Sequence, residues 1–286
     1  MSEFHQQPNV FVNHVAIKVQ DLKRSISFYK NIVGFQVLEQ SETKAVLTAN
    51  GTTPLLTLEK QGEIFPKQPR TTGLYHFAIL LPNRKELGNF INHLAEQRFQ
   101  ISGAANHEIS EALYFNDPDG NGIEVYCDTP PSSWRWQNGL IHATNSQIDF
   151  ESITADVNGE LWTGLPPQTL MGHIHLHVSD IKKAEQFYHQ GLCLDVVIRM
   201  DDHALFFSTG GYHHHIGVNI WNGAGAPQPQ KNSVGLQNFT ITFPNEKTRQ
   251  TAVKKLQNLV YSVTEIDGNY MTNDPSGNEI ILAVGE

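Results

Sequence analysis

Cysteine, basic residues and long apolar runs are all scarce in this chain, and each scarcity removes a class of protein. Only two cysteines, Cys127 and Cys193, occur in 286 residues. They lie far apart, and the opening MSEFHQQPNVFV has no basic stretch followed by an apolar core of the kind that directs export. Reduced thiols and a cytoplasmic location are therefore expected, not a disulfide framework. Lys and Arg number 20 against 29 Asp and Glu, a formal net charge of -9. Phosphate backbones need clustered basic residues, so nucleic acid is not an expected partner. There is no glycine-rich phosphate loop. No apolar run approaches the roughly 18 residues that span a bilayer, so no membrane is expected either. The rest of the composition, 39 % hydrophobic and 17 % charged, is that of a globular protein with room for two domains. It is also compatible with a homo-oligomer.

Histidine, by contrast, is abundant and clustered. Of the 14, three alternate at His173, His175 and His177, and three run together at His213, His214 and His215.

The chain repeats itself. HVAIKVQDLKRSISFYKNIVGF at 14–35 aligns without gaps on HIHLHVSDIKKAEQFYHQGLCL at 173–194. Both read His, an alternating strand, Asp, an aliphatic residue and then Phe-Tyr. Alternation marks a half-buried strand. Asp21 and Asp180 are candidate caps for a following helix whose inner face carries Phe28-Tyr29 or Phe187-Tyr188. A second pair begins GLYHFAILL at 73–81 and GLQNFTITF at 235–243, and ends NDPDGNGIEVY at 116–126 and NDPSGNEIILA at 273–283. In Asp-Pro-x-Gly-Asn, proline fixes φ and glycine permits positive φ, which makes a turn. Asp117 and Asp274 are read as its turn residues. Four modules result, at roughly 10–60, 73–127, 171–222 and 235–284, each a strand, a helix and three strands. Residues 128–170, with Pro130-Pro131, Trp134 and Trp136 and little periodicity, read as the connection between halves at 1–127 and 171–286.

This pattern resembles the vicinal oxygen chelate superfamily, which includes glyoxalase I, fosfomycin-resistance proteins and type I extradiol dioxygenases. The resemblance covers nearly the whole chain. It implies an α+β fold of four βαβββ modules forming two domains with cup-shaped mixed sheets. A metal would sit on the concave face, with ligands from the first and last strands of the modules.

Alternation then sorts the faces. His76, Ala78 and Leu80 oppose Phe77, Ile79 and Leu81. Glu124 and Tyr126 oppose Ile123 and Val125. His173, His175 and His177 oppose Ile174, Leu176 and Val178. The first-strand ligand position is occupied by His14, His76, His173 and Asn238. In modules 2 and 4 the last-strand position holds Glu124 and Ile281, with Glu279 two residues off. Pairing modules 1 and 2 gives His14, His76 and Glu124. Pairing modules 2 and 3 gives His76, Glu124 and His173, with His213–His215 alongside. The second is preferred, because it gathers the unusual polar residues into one cavity. Two histidines and one carboxylate on one side of an ion leave about three positions open for substrate and oxygen.

Residues 107–124, HEISEALYFNDPDGNGIE, resemble the signature of class I extradiol ring-cleavage dioxygenases, with one departure at Ala105. By that match Glu124 is an iron ligand, and His107 and Tyr114 line the site. GGYHHHIGVNIW at 210–221 resembles the strand before which those enzymes carry an acid-base histidine, here His214 or His215. The chain looks closest to bacterial catechol-2,3-dioxygenase-like proteins. That implies Fe(II), with Mn(II) or Zn(II) accepted by the same donors, and a small aromatic substrate with O2. Phe115, Tyr212 and Trp221 are read as core aromatics that could also shape a pocket. The alternatives are a glyoxalase-like lyase or isomerase, or thiol transfer, which uses a glutamate from each half, and a non-catalytic binding or resistance protein.

Overall fold

A computed structural model of the chain describes residues 2–155, 157 and 162–285. All four modules are present. Module 1 has strand Phe11–Lys18, helix Leu22–Phe28 and strands Gln36–Gln40, Lys44–Thr48 and Leu56–Glu59. Module 2 has strand Gly73–Leu80, helix Arg84–Glu96 and strands Gly103–Asn106, Ser110–Asn116 and Gly122–Asp128. Module 3 has strand Leu170–His177, helix Ile181–Glu185 and strands Asp195–Met200, Ala204–Ser208 and Ile216–Asn219. Module 4 has strand Gly235–Phe243, helix Glu246–Asn258 and strands Val263–Ile266, Asn269–Asn273 and Glu279–Val284. The connection carries a short helical turn, a two-residue strand pair and helix Phe150–Ala155; its residues Asp156 and 158–161 lie outside the described set. No described helix is long and apolar enough to cross a membrane.

The caps form as the sequence indicates. Asp21 accepts from Arg24 N–H at 3.0 Å, and Asp180 accepts from Lys182 and Lys183 N–H. In modules 1 and 3 the helix then widens into a π-helical turn, Tyr29–Val33 and Gln186–Gly191. These turns carry the two tyrosines inward. The Tyr29 hydroxyl donates to Asp117 Oδ2 at 3.0 Å, and the Tyr188 hydroxyl donates to Asp274 Oδ2 at 2.9 Å. The turn aspartates thus do more than shape their turns: each ties a module's last turn to the helix of the module before it. They also accept turn N–H groups, from Asp119 and Asn121 and from Ser276 and Asn278.

Two eight-stranded mixed sheets result, and each takes strands from both halves of the sequence. Modules 1 and 4 form one; modules 2 and 3 form the other. In the second, Leu170–His177 runs antiparallel to Gly73–Leu80, which lies parallel to Gly122–Asp128. One continuous apolar core, including Val15, Ile17, Phe77, Ile79, Ile174, Leu176, Phe239 and Ile241, covers the faces opposite the histidines. A bulge at Gly172 precedes His173, and one at Asn13 precedes His14, so the repeat extends to its irregularities.

In the sheet of modules 1 and 4, His14 Nε2 lies 2.8 Å from Thr57 Oγ1. Thr240 and then Ile281 sit beside it in register. Among the described residues, that cup has no carboxylate at the last-strand position, and His14 belongs to no group that could hold a metal. Burial, with Lys44 nearby, pushes the His14 imidazole down to about 4.

Tyr29→Phe or Tyr188→Phe removes a buried donor from a buried carboxylate and should cost about 1–3 kcal/mol. An unchanged urea midpoint in both would contradict the tie. The His14 imidazole is depressed in the folded state, so the unfolded chain takes the proton first. Its contribution is complete above about pH 6.5 and lost as pH falls toward 4, amounting to about 2 kcal/mol at pH 5. His14→Gln should lose that much less stability than the parent between pH 7.5 and 5, and equal losses would contradict it.

Candidate metal centre in the cup of modules 2 and 3

Strand register builds the site row by row. His173 pairs with Ala78, Ala78 with Glu124, and Glu124 with Tyr114, so these four side chains cross the cup in line. The next row holds His175 and His76. Ala78 is the smallest member of its row and is fully buried. Its methyl leaves room for His173 to reach over it, and His173 Nε2 lies 3.0 Å from Glu124 Oε2. His76 Nε2 lies 3.0 Å from the same oxygen. The three offer donor atoms that all lie within 4.8 Å of one another, and all three residues are buried. The first-strand histidine of module 3, not that of module 1, therefore meets His76 and Glu124.

The donor set fits a divalent cation. His76 Nε2 is buried and, at this angle to Glu124, makes no hydrogen bond. Ligand atoms about 2.1 Å from an ion and at right angles stand about 3.0 Å apart, the spacing of a facial two-histidine, one-carboxylate site. Burial alone would raise the Glu124 carboxyl, but His173 and His76 beside it hold it well below the usual carboxylate range. Burial pushes the His173 imidazole down, although Glu124 opposes this. An ionised carboxylate and an unprotonated imidazole are the forms that bind metal.

The other predicted residues divide. Tyr114 stands beside His76, with ring centroids 5.7 Å apart. Its hydroxyl is 2.7 Å from His107 Nε2, and His107 Nδ1 is 2.7 Å from the Thr144 carbonyl. A carbonyl only accepts, so neutral His107 carries its proton on Nδ1 and Tyr114 donates to Nε2. The lone pairs of the Tyr114 oxygen are left for the cup. Burial and the Glu124 charge push that phenol well above its usual value.

His214 lies against His173, with centroids 4.1 Å apart, and edge-on to Phe206. His215 is not brought to the triad. It packs beneath the N-terminal segment, 3.2 Å from the Phe4 carbonyl and against the His5 ring. The strand begins only at Ile216, so alternation does not extend back through the histidine run.

His175 and His177 form the wall. Trp221 N–H donates to Asn219 Oδ1 at 3.0 Å, which fixes the amide's orientation. Asn219 Nδ2 then donates to His175 Nε2 at 2.9 Å, and His177 Nδ1 donates to Asn219 Oδ1 at 2.7 Å. A Cβ at Gly217 would sit 3.0 Å from the His175 ring, so glycine makes its seat. At the mouth, the exposed rings of Tyr75 and Trp221 meet edge-on at 5.3 Å. Phe115, by contrast, is core, and Tyr212 is fully buried.

Asp128, Asn219 and Tyr75 also border the site without having been expected there, and His213, expected only as part of the run alongside, contacts Asp128. Asp128 had a legible signal, since residues 124, 126 and 128 share one strand face. Asp128 also lines a cavity of about 860 Å³, together with Phe4, Leu80, Arg84, Glu111 and Leu170 among others. The triad does not line it, so its size says nothing about the metal centre.

Comparison with known proteins agrees with this architecture. Residues 11–125 match the model of the glyoxalase/bleomycin resistance protein/dioxygenase superfamily. A catechol-2,3-dioxygenase of Bacillus subtilis is 41 % identical over 287 residues, which covers 99 % of this chain and 100 % of that protein. A metallothiol transferase FosB of Staphylococcus epidermidis is 32 % identical over 120 residues, covering 41 % of this chain and 82 % of that one. The crystal structure of a putative dioxygenase from Bacillus subtilis superposes with a TM-score of 0.65 at 13 % identity, covering 96 % of this chain and 84 % of that one, a likeness of fold. With full-length identity of this order and the paired-module sheets, the chain belongs to the glyoxalase/bleomycin resistance protein/dioxygenase superfamily.

Proposed function

We propose that this protein is a metal-dependent extradiol dioxygenase that opens the ring of a catechol-type aromatic with dioxygen. The observation that carries the reading is the convergence of His76, Glu124 and His173 on one point in the cup, with the His107–Tyr114 pair beside it. The full-length likeness to a catechol-2,3-dioxygenase supports the same substrate class. Its two cysteines are unpaired, which supports a cytoplasmic setting.

Fe(II) held by His76 Nε2, Glu124 and His173 Nε2 would supply Lewis acidity toward the catechol oxygens and a route for electrons from substrate to dioxygen. The chain supplies the rest. Three buried ligands on one side leave the mouth side of the cup for substrate. Tyr114, whose proton is committed to His107, accepts a hydrogen bond from a substrate hydroxyl. Its own burial, with the Glu124 charge beside it, keeps it a neutral phenol. His214 stands where it can take the hydroxyl proton and return it during ring opening. Tyr75 and Trp221 offer apolar rings to the substrate's outer edge.

Metal content and oxygen uptake test this reading. Glu124→Ala, His76→Ala and His173→Ala should fall from about one ion per chain to about one-tenth or less, with circular dichroism unchanged. His14→Ala should keep its metal. Ala78→Leu, which fills the gap between His173 and Glu124, should lower metal affinity by about tenfold or more. The parent should consume oxygen with catechol and form a yellow ring-opened semialdehyde. Full metal retention in the three ligand variants, or no oxygen uptake by the iron-loaded parent across a panel of catechols, would sink the proposal.

A further inference from the structure

The histidine run is held by a carboxylate that no part of the ligand motif requires. Asp128 ends the strand that carries Glu124, and its Oδ1 lies 2.8 Å from His213 Nε2. The Tyr212 hydroxyl donates to the same oxygen at 3.2 Å, and Tyr126 lies behind it with its hydroxyl 2.7 Å from that of Tyr212. His213 Nδ1 lies 2.8 Å from His214 Nδ1. Each contact has a direction. A carboxylate only accepts, so His213 carries a proton on Nε2. In the neutral ring Nδ1 is then bare, and only His214 can fill the 2.8 Å contact, by donating from Nδ1. His214 is left with a bare Nε2.

Packing locks this arrangement. His213 is fully buried between Tyr212, at a centroid distance of 4.0 Å, and Trp134, at 5.3 Å. Trp134 is itself anchored by its indole N–H, which donates to Thr129 at 3.0 Å. A buried imidazole gripped on two sides and hydrogen-bonded at both nitrogens does not turn over freely. His214, 9 % exposed, is the member of this chain with its ring against the metal-ligand candidate His173.

We propose that Asp128 and His213 are positioning residues: they hold His214 as its Nδ1–H tautomer, so that an unprotonated Nε2 is available in the cup to take a substrate proton. The O–H bond of a substrate hydroxyl breaks, the N–H bond at His214 Nε2 forms, and the electron pair stays on the substrate oxygen. The inference rests on the reading of the cup as a site of proton abstraction, but the tautomer is a property of the free protein. The opposite tautomer would place a proton on Nε2 and leave nothing to accept one. The order carboxylate, oriented imidazole, acting imidazole extends the logic by which a base is set by the group behind it.

The test is nitrogen-15 NMR of histidine-labelled full chain, with and without added Zn(II), in which loss of a signal in His214→Gln assigns the ring. His214 should show a protonated Nδ1 and a bare Nε2. In His213→Phe, and independently in Asp128→Ala, the ring should shift to a mixture containing the Nε2–H form. In oxygen-uptake assays with catechol, Asp128→Ala should lower kcat by about 10- to 100-fold with KM within about threefold, and Asp128→Glu should recover most of the loss. A structural role would lower thermal stability and metal content without changing the tautomer of the folded fraction. A predominantly Nε2–H His214 in the parent overturns the proposal, as does an unchanged tautomer in both variants. If the tautomer behaves as expected and the parent turns over no catechol, the positioning pair stands and the reading of the reaction fails. If the parent cleaves catechol while both variants keep parental tautomer and kcat, the pair alone fails.

Discussion

The antiparallel pairing of Leu170–His177 with Gly73–Leu80 decides where this protein can hold a metal. Its register places His173 opposite Ala78 and His175 opposite His76, and the parallel neighbour brings Glu124 opposite Ala78. A slip of one residue would turn every one of these side chains into the apolar core. The pairing is therefore fixed from behind, by Ile174, Leu176, Phe77 and Ile79, whose burial requires this register. The site costs the fold a buried carboxylate and several buried imidazoles. That cost is tolerable because Glu124 has two histidines within 3.0 Å.

The second sheet shows the same frame without the chemistry. Bulge, strand order and the tyrosine-to-aspartate ties all recur, yet Ile281 stands where Glu124 stands, Thr240 where Ala78 stands, and Asn238 where His76 stands. His14 survives as a neutral side chain bonded to Thr57. One cup carries a candidate ligand set, and its counterpart repeats the scaffold with other residues at those positions. Since each sheet draws on both halves of the chain, the candidate ligands His76 and Glu124 come from the first half and His173 from the second. Bringing these three side chains together thus depends on the two halves docking correctly.

Much of this was legible in the residues. The repeat gave the modules, alternation gave the faces, and the spacing from His107 to Glu124 marked one wall of the site. The choice between His14 and His173 was harder, because both open the same repeated string and only long-range strand pairing separates them. The hydrogen-bond chain from Asp128 to His214 joins residues 85 apart at its carboxylate end, a contact that no local pattern encodes. Alternation failed at His215 because the run precedes the strand. The π-helical turns, which aim Tyr29 and Tyr188 at their aspartates, leave no mark in the composition of the helices.

The metal centre proposed in the cup of modules 2 and 3 requires one ion shared by residues from both halves of the chain. Anomalous diffraction at the iron edge from crystals of anaerobically purified, iron-loaded protein reads that directly. The expected result is one strong peak per chain, within bonding distance of His76 Nε2, Glu124 and His173 Nε2. A peak in the other cup, beside His14 and Asn238, or no ordered peak at the triad, would contradict it.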